Sequence, residues 1–104
     1  MEKAKVFNLS QMVEAQEGSV VSRTLVDRPA GTVTLFAFDG GQGLSEHTAP
    51  YDALVYILEG EAVVTVSGVE HRVSAGEALL MPAGEPHSLR AEEAFKMLLV
   101  MVRG

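Results

Sequence analysis

Two histidines in this chain sit where a side chain with a lone pair could do chemistry. His47 lies in the stretch GQGLSEHTAPYDALVYILEGE, residues 41–61, with Glu46 beside it and Tyr51 and Asp52 just before an apolar run. His87 follows Pro82, Ala83, Gly84, Glu85 and Pro86, a segment too poor in N–H groups to lie inside a central strand. That segment must be a rigid loop, and it delivers His87 to the start of the next strand. An imidazole titrates near neutral pH and can serve as acid, base, hydrogen-bond partner or metal ligand. The third histidine, His71, shares strand parity with Val73 and could face inward, although a surface position on its hairpin is the plainer expectation. No cysteine is present and no serine sits in a G-x-S-x-G elbow, so no residue stands out as a covalent nucleophile.

The elements that must position these residues are short. Glycine and proline interrupt the chain at Gly18, Pro29, Gly31, Gly40, Gly41, Gly43, Gly60, Gly68, Gly76, Pro82, Gly84 and Pro86, with runs of Val, Leu, Thr and Phe between them. Such spacing, with almost no helical periodicity, predicts an all-β sandwich or barrel. Strands are expected at Ser19–Val26, Thr32–Phe38, Ala53–Leu58, Glu61–Ser67, Glu70–Val73, Ala78–Met81, His87–Arg90 and Phe95–Val102, with one helical turn capped by Ser10. Glu59-Gly60 and Ser67-Gly68 both read as two-residue hairpin turns, since glycine takes positive φ freely.

A length of 104 residues predicts one domain, residues 1–104, with a barrel core over about 19–102. The composition is 47% hydrophobic but only 6% aromatic and lacks Trp, so Val, Leu, Ala and Met must fill the core. Net charge is −6 and no Lys/Arg cluster occurs, which argues against nucleic acid or an anionic membrane as partner. The absence of cysteine, of a signal-peptide h-region and of a long apolar run leads to a cytoplasmic expectation. ALVYIL, residues 53–58, and FKMLLVMV, residues 95–102, are apolar on both faces, so both faces should be buried. A homodimer is therefore expected. The alternative cover is the N-terminal segment of the same chain.

The chain resembles the cupins, small jelly-roll barrels with two sequence motifs. The first motif, G-x5-H-x-H-x3,4-E-x6-G, overlays Gly41, His47, Ala49, Ala53 and Gly60, and the second, G-x5-P-x-G-x2-H-x3-N, overlays Gly76, Pro82, Gly84, His87 and Ala91. The runs HTAPYDALVYILEGE and FKMLL are similar to those of short bacterial single-domain cupins, RmlC-like jelly rolls of unassigned function. The resemblance implies a double-stranded β-helix fold and, in complete members, one divalent ion held by three histidines and a glutamate. Here only His47 and His87 remain of those four, with Ala49 and Ala53 in the other two places.

Three functions are open to such a chain. The first is a small-molecule-binding cupin whose pocket is framed by His47, His87, Ala49, Ala53, Tyr51 and Met81, made roomier and more apolar by the two alanines. The second is a metal-dependent enzyme, dioxygenase- or isomerase-like, holding a divalent ion (Zn, Ni, Fe, Mn or Cu) through His47, His87 and a third ligand such as His71. Glu46 and Asp52 are one residue out of phase for that task. The third is a non-catalytic interaction module. Whether the protein is an enzyme, and what it binds, the residues leave open.

Overall fold

The structure is a computed structural model and describes residues 2–103. After a short 3-10 turn at Leu9–Gln11 come nine strands: β1 Val20–Arg28, β2 Gly31–Phe38, β3 Gly43–His47, β4 Asp52–Glu59, β5 Glu61–Val66, β6 Val69–Ser74, β7 Ala78–Met81, β8 His87–Arg90 and β9 Phe95–Val102. They form two antiparallel sheets in the orders β1-β2-β9-β4-β7 and β3-β8-β5-β6. The two sheets close over one core, giving the jelly-roll barrel that the motifs imply. No helix among the described residues is long and apolar enough to cross a membrane.

Two local expectations are corrected. Gly60 does not close a hairpin, because β4 and β5 belong to different sheets and it marks the corner between them. Its φ is +77°, and a Cβ there would stand 2.6 Å from the Ala94 carbonyl oxygen, so only glycine lets the chain turn that tightly. Ser67-Gly68 is a true two-residue turn, with φ of 48° and 80° at its two positions, the primed geometry that matches strand twist. The helical turn does lie near Ser10, but Asn8 holds the cap position and makes no side-chain bond there.

Alternation explains which face each strand buries. On β4, Ala53, Val55 and Ile57 point inward and are almost fully buried, while Asp52, Leu54 and Tyr56 point outward. On β9, Phe95 and Met97 join them. The outer face of the larger sheet is covered only in part. Leu9, Met12 and Val13 pack on Leu35, Ala37, Leu58 and Leu98, and the Lys96 ammonium donates to the Ser10 carbonyl at 2.6 Å. The N-terminal segment thus covers one half of that face.

Candidate functional site

His47 and His87 are opposite partners on the antiparallel pair β3 and β8. The register between these strands slips, since Leu44 pairs with Leu89 and His47 with His87. Ser45 and Glu46 of β3 therefore stand against Ser88 alone on β8, which is a bulge. The consequence is chemical. Residues three apart on a regular strand face opposite sides, whereas the extra residue turns both Leu44 and His47 into the barrel, where both line one pocket.

The loop before β8 is tied to the segment after β3 by two bonds. The Ala83 N–H donates to the Asp52 carboxylate at 2.9 Å, and the Gly84 N–H to the Ala49 carbonyl at 2.8 Å. Asp52 thus fixes the loop from outside and stays out of the pocket. At Gly43 an added Cβ would lie 2.4 Å from the Leu89 carbonyl oxygen, so the glycine permits β3 to lie flush on β8.

The two imidazoles touch edge to face, their centroids 4.3 Å apart and their planes 72° apart. Nε2 of His47 is 3.0 Å from Nε2 of His87. Each Nδ1 faces a backbone carbonyl oxygen, that of Ser45 at 2.8 Å for His47 and that of Glu85 at 3.2 Å for His87. A carbonyl oxygen cannot donate, so each Nδ1 must carry its proton to make its bond. A neutral imidazole has only one N–H, which leaves lone pairs on both Nε2 atoms, facing each other. Three contacts share two protons. A neutral pair is one positive charge short, and a shared proton or a cation would supply it.

The surroundings oppose a free extra proton. His87 is only 5% exposed, and its pKa is lowered by burial first and by the charge of His47 second, with the Glu85 carbonyl acting the other way. His47 is exposed, at the pocket mouth. The pocket floor is apolar: Ala49, Ala53, Met81 and Leu89, with Met97, Leu99 and Met101 from β9.

Sequence reasoning placed His47, His87, Ala49, Ala53 and Met81 in the pocket, and all five line it. Tyr51 does not; it lies instead under the Arg103 guanidinium, 5.0 Å from ring centroid to carbon. His71 does not supply a third ligand. It is exposed on β6, opposite Val64, beside a separate surface hollow with Arg72 and Glu77. Among the described residues no three His, Cys, Asp or Glu side chains converge. The two imidazoles alone do not fit the divalent ion that the motifs imply.

The pocket is also smaller than two alanines would suggest. It holds about 50 Å³, against roughly 300–1,000 Å³ for a usual small-molecule site. The methionines of β7 and β9 occupy the space; Met81 is 2% exposed and Met97 fully buried. Parity along β9 could have revealed Met97, Leu99 and Met101 from the sequence, since each is an even number of residues from the inward Phe95. A hollow of about 250 Å³ lies beside Gly60, Glu92 and Glu93, but it holds carboxylates and no imidazole.

The cupin-domain family model matches residues 34–103, which include both histidines and the loop between them. The chain belongs to the cupin family. Its fold is shared with a conserved protein of unknown function from Streptococcus pyogenes, 45% identical with a TM-score of 0.95, covering 100% of this chain and 91% of that one. A cupin 2 conserved barrel domain protein from Leptotrichia buccalis is 46% identical with a TM-score of 0.91, over 93% of this cupin and 47% of that longer chain. A cupin superfamily protein from Desulfitobacterium hafniense is 29% identical with a TM-score of 0.93, covering 100% and 95%. The tetracenomycin polyketide synthase protein TcmJ of Streptomyces glaucescens is 38% identical over 50 residues, 47% of this cupin and 34% of that protein. This cupin therefore matches only about a third of TcmJ.

Proposed function

We propose that this cupin binds a small organic acid, its carboxylate at the His47–His87 pair and its apolar part against the methionines. One observation carries the reading: both Nε2 atoms converge at the mouth of an apolar pocket that contains no carboxylate of its own. An acid brings both the missing proton and the anion that balances it. The available volume suits a short head group, and thioether side chains, with three rotatable bonds, can re-pack around a larger one.

Titration calorimetry of chelator-treated protein with short-chain carboxylates such as butyrate tests this. Binding should survive the chelator and weaken about 10- to 100-fold in His47→Ala or His87→Ala, the usual worth of a hydrogen bond to a charged group. Because burial holds the His87 pKa below its ordinary 6.5, the protonated pair becomes populated only as pH falls. Affinity should thus rise between about pH 7.5 and pH 5.5. Butyrate binding that ignores both substitutions, or that strengthens with rising pH, counts against the pair as the acid's partner.

We propose also that two copies pair through the half of the larger sheet that the N-terminal segment leaves bare. Cross-strand register aligns Val26, Val33, Val100, Leu54 and Leu80 in one aliphatic row over all five strands. Leu80 is 57% exposed and Leu54 39%. A two-fold axis along the central β9 stacks this row on its own copy. It also brings Arg28, at one edge of the next row, toward the side where the partner copy has its Asp52. Light scattering should give twice the 11.1 kDa chain mass. The pair Leu54→Lys and Leu80→Glu should return it to monomer with little loss of fold, since both sites are exposed. A parent that scatters as a monomer overturns the pairing.

A further inference from the structure

We propose that the same pocket is a Cu(I) site, with His47 and His87 as nitrogen ligands and Met81 and Met101 as sulfur ligands. Three of the five methionines in the chain line this one small pocket, along with both imidazoles and no carboxylate. The register shows why the sulfurs are well placed. On β4, Ala53 has Met81 directly opposite on β7 and Met101 directly opposite on β9. Facing residues on paired strands share one side of the sheet, so Met81, Ala53 and Met101 form a row on the inner face. Neighbouring Cβ atoms in that row stand about 5 Å apart, and both methionines line the pocket together with the two imidazoles.

Ligand softness selects the ion. Thioethers favour Cu(I), whereas manganese, magnesium and calcium want oxygen donors, and none lines the pocket. Charge points the same way. Every donor is neutral, and burying a divalent ion without a carboxylate leaves two uncompensated charges, while Cu(I) leaves one. The imidazoles already have the required tautomer. Each Nδ1–H is committed to a backbone carbonyl, the arrangement that turns the Nε2 lone pair toward a metal and fixes the ring. With imidazole–metal bonds of about 2.0–2.1 Å, nitrogens 3.0 Å apart give a bent N–Cu–N angle of roughly 95°. That leaves the opposite side open for the sulfurs.

Copper and an organic acid would compete for the same nitrogens, but copper uptake and acid binding are separate measurements and either can fail alone. The test is an anaerobic competition between chelator-treated protein and the chromophoric Cu(I) ligand bicinchoninate, with a Zn(II) titration in parallel. The protein should withdraw one Cu(I) per chain and hold Zn(II) far more weakly. Met81→Leu with Met101→Leu should cut Cu(I) affinity by more than the roughly 10- to 100-fold that loss of a supporting partner costs a metal site. Leucine nearly conserves methionine's volume, and an unchanged thermal melt confirms that the fold persists. Copper left wholly on the chelator, a leucine variant as tight as the parent, or equal affinity for zinc would each overturn the proposal.

Discussion

The double variant Ala49→His with Ala53→Glu is expected to bind Zn(II) roughly a thousandfold or more tightly than the parent, because it raises the protein ligands from two to four. Both alanines already line the pocket with His47 and His87, so the new imidazole and carboxylate start near the nitrogens they must join. Metal-free, the variant should suffer. Ala53 is 4% exposed, between Met81 and Met101, so without metal the glutamate buries a carboxyl group that must take up a proton in apolar surroundings, at about 1–3 kcal/mol, and crowds a pocket with little spare volume. Adding zinc should restore the lost stability, since an ion that binds only the folded chain raises its apparent stability. Elemental analysis and thermal melts with and without metal measure both halves. If zinc affinity stays at the parent's level, the two alanines do not face a common point with the histidines.

The asymmetry between site and scaffold explains what the residues revealed in advance. Strands β4 to β9 were readable because Gly and Pro bound them and because their apolar runs contrast with their turns. β3 was not. Its sequence, GLSEH, is short, polar and exposed along most of its length, so neither alternation nor hydrophobicity marks it as a strand. Yet β3 carries His47, and its bulge, invisible to a period-of-two argument, puts Leu44 and His47 on the same face. The motif spacing supplied by family resemblance did place His47 and His87 together. It could not foresee that the space left by two alanines would be taken by methionines from β7 and β9, because packing is set by neighbours remote in sequence.

Tyr51 illustrates the same limit from the other side. It stands between two pocket residues, Ala49 and Ala53, yet lies outside the pocket against Arg103, whose backbone N–H bonds the Ala30 carbonyl at 2.8 Å. Proximity in sequence is a poor guide where the chain is leaving a loop and entering a strand. The acidic run Ala91–Phe95, which joins β8 to β9, is tied to its neighbouring strands by ion pairs. Glu92 receives Arg72 at 2.7 Å and Arg90 at 3.4 Å, and these guanidiniums hold its carboxyl below the ordinary range, Arg72 first. At half-exposed positions such pairs orient β6 and β8 more than they stabilise them.

Phe95→Ala is expected to be among the most destabilising single substitutions in the chain. Phe95 and Phe38 face each other across β9 and β2, their rings stacked with centroids 4.5 Å apart and planes 12° apart. They are 1% and 0% exposed. In a protein with few aromatic residues this pair carries much of the core's volume, and no Trp is available to share it. Truncating a buried phenylalanine costs about 3–5 kcal/mol, and the lost ring pair adds roughly 0.5–1.5 kcal/mol, against a total stability of about 5–15 kcal/mol for a typical domain. Gly60 lets the β4–β5 corner lie close on this residue, since an added Cβ would stand 3.0 Å from the Phe95 Cβ. Removing the ring leaves a cavity in the core cluster to which both sheets contribute. Urea unfolding should show a large drop in midpoint, Phe95→Leu should fall between alanine and parent, and Val102→Ala, on an exposed position of the same strand, should change little. Equal midpoints for Phe95→Ala and Val102→Ala would mean that the ring pair does not hold the sheets together.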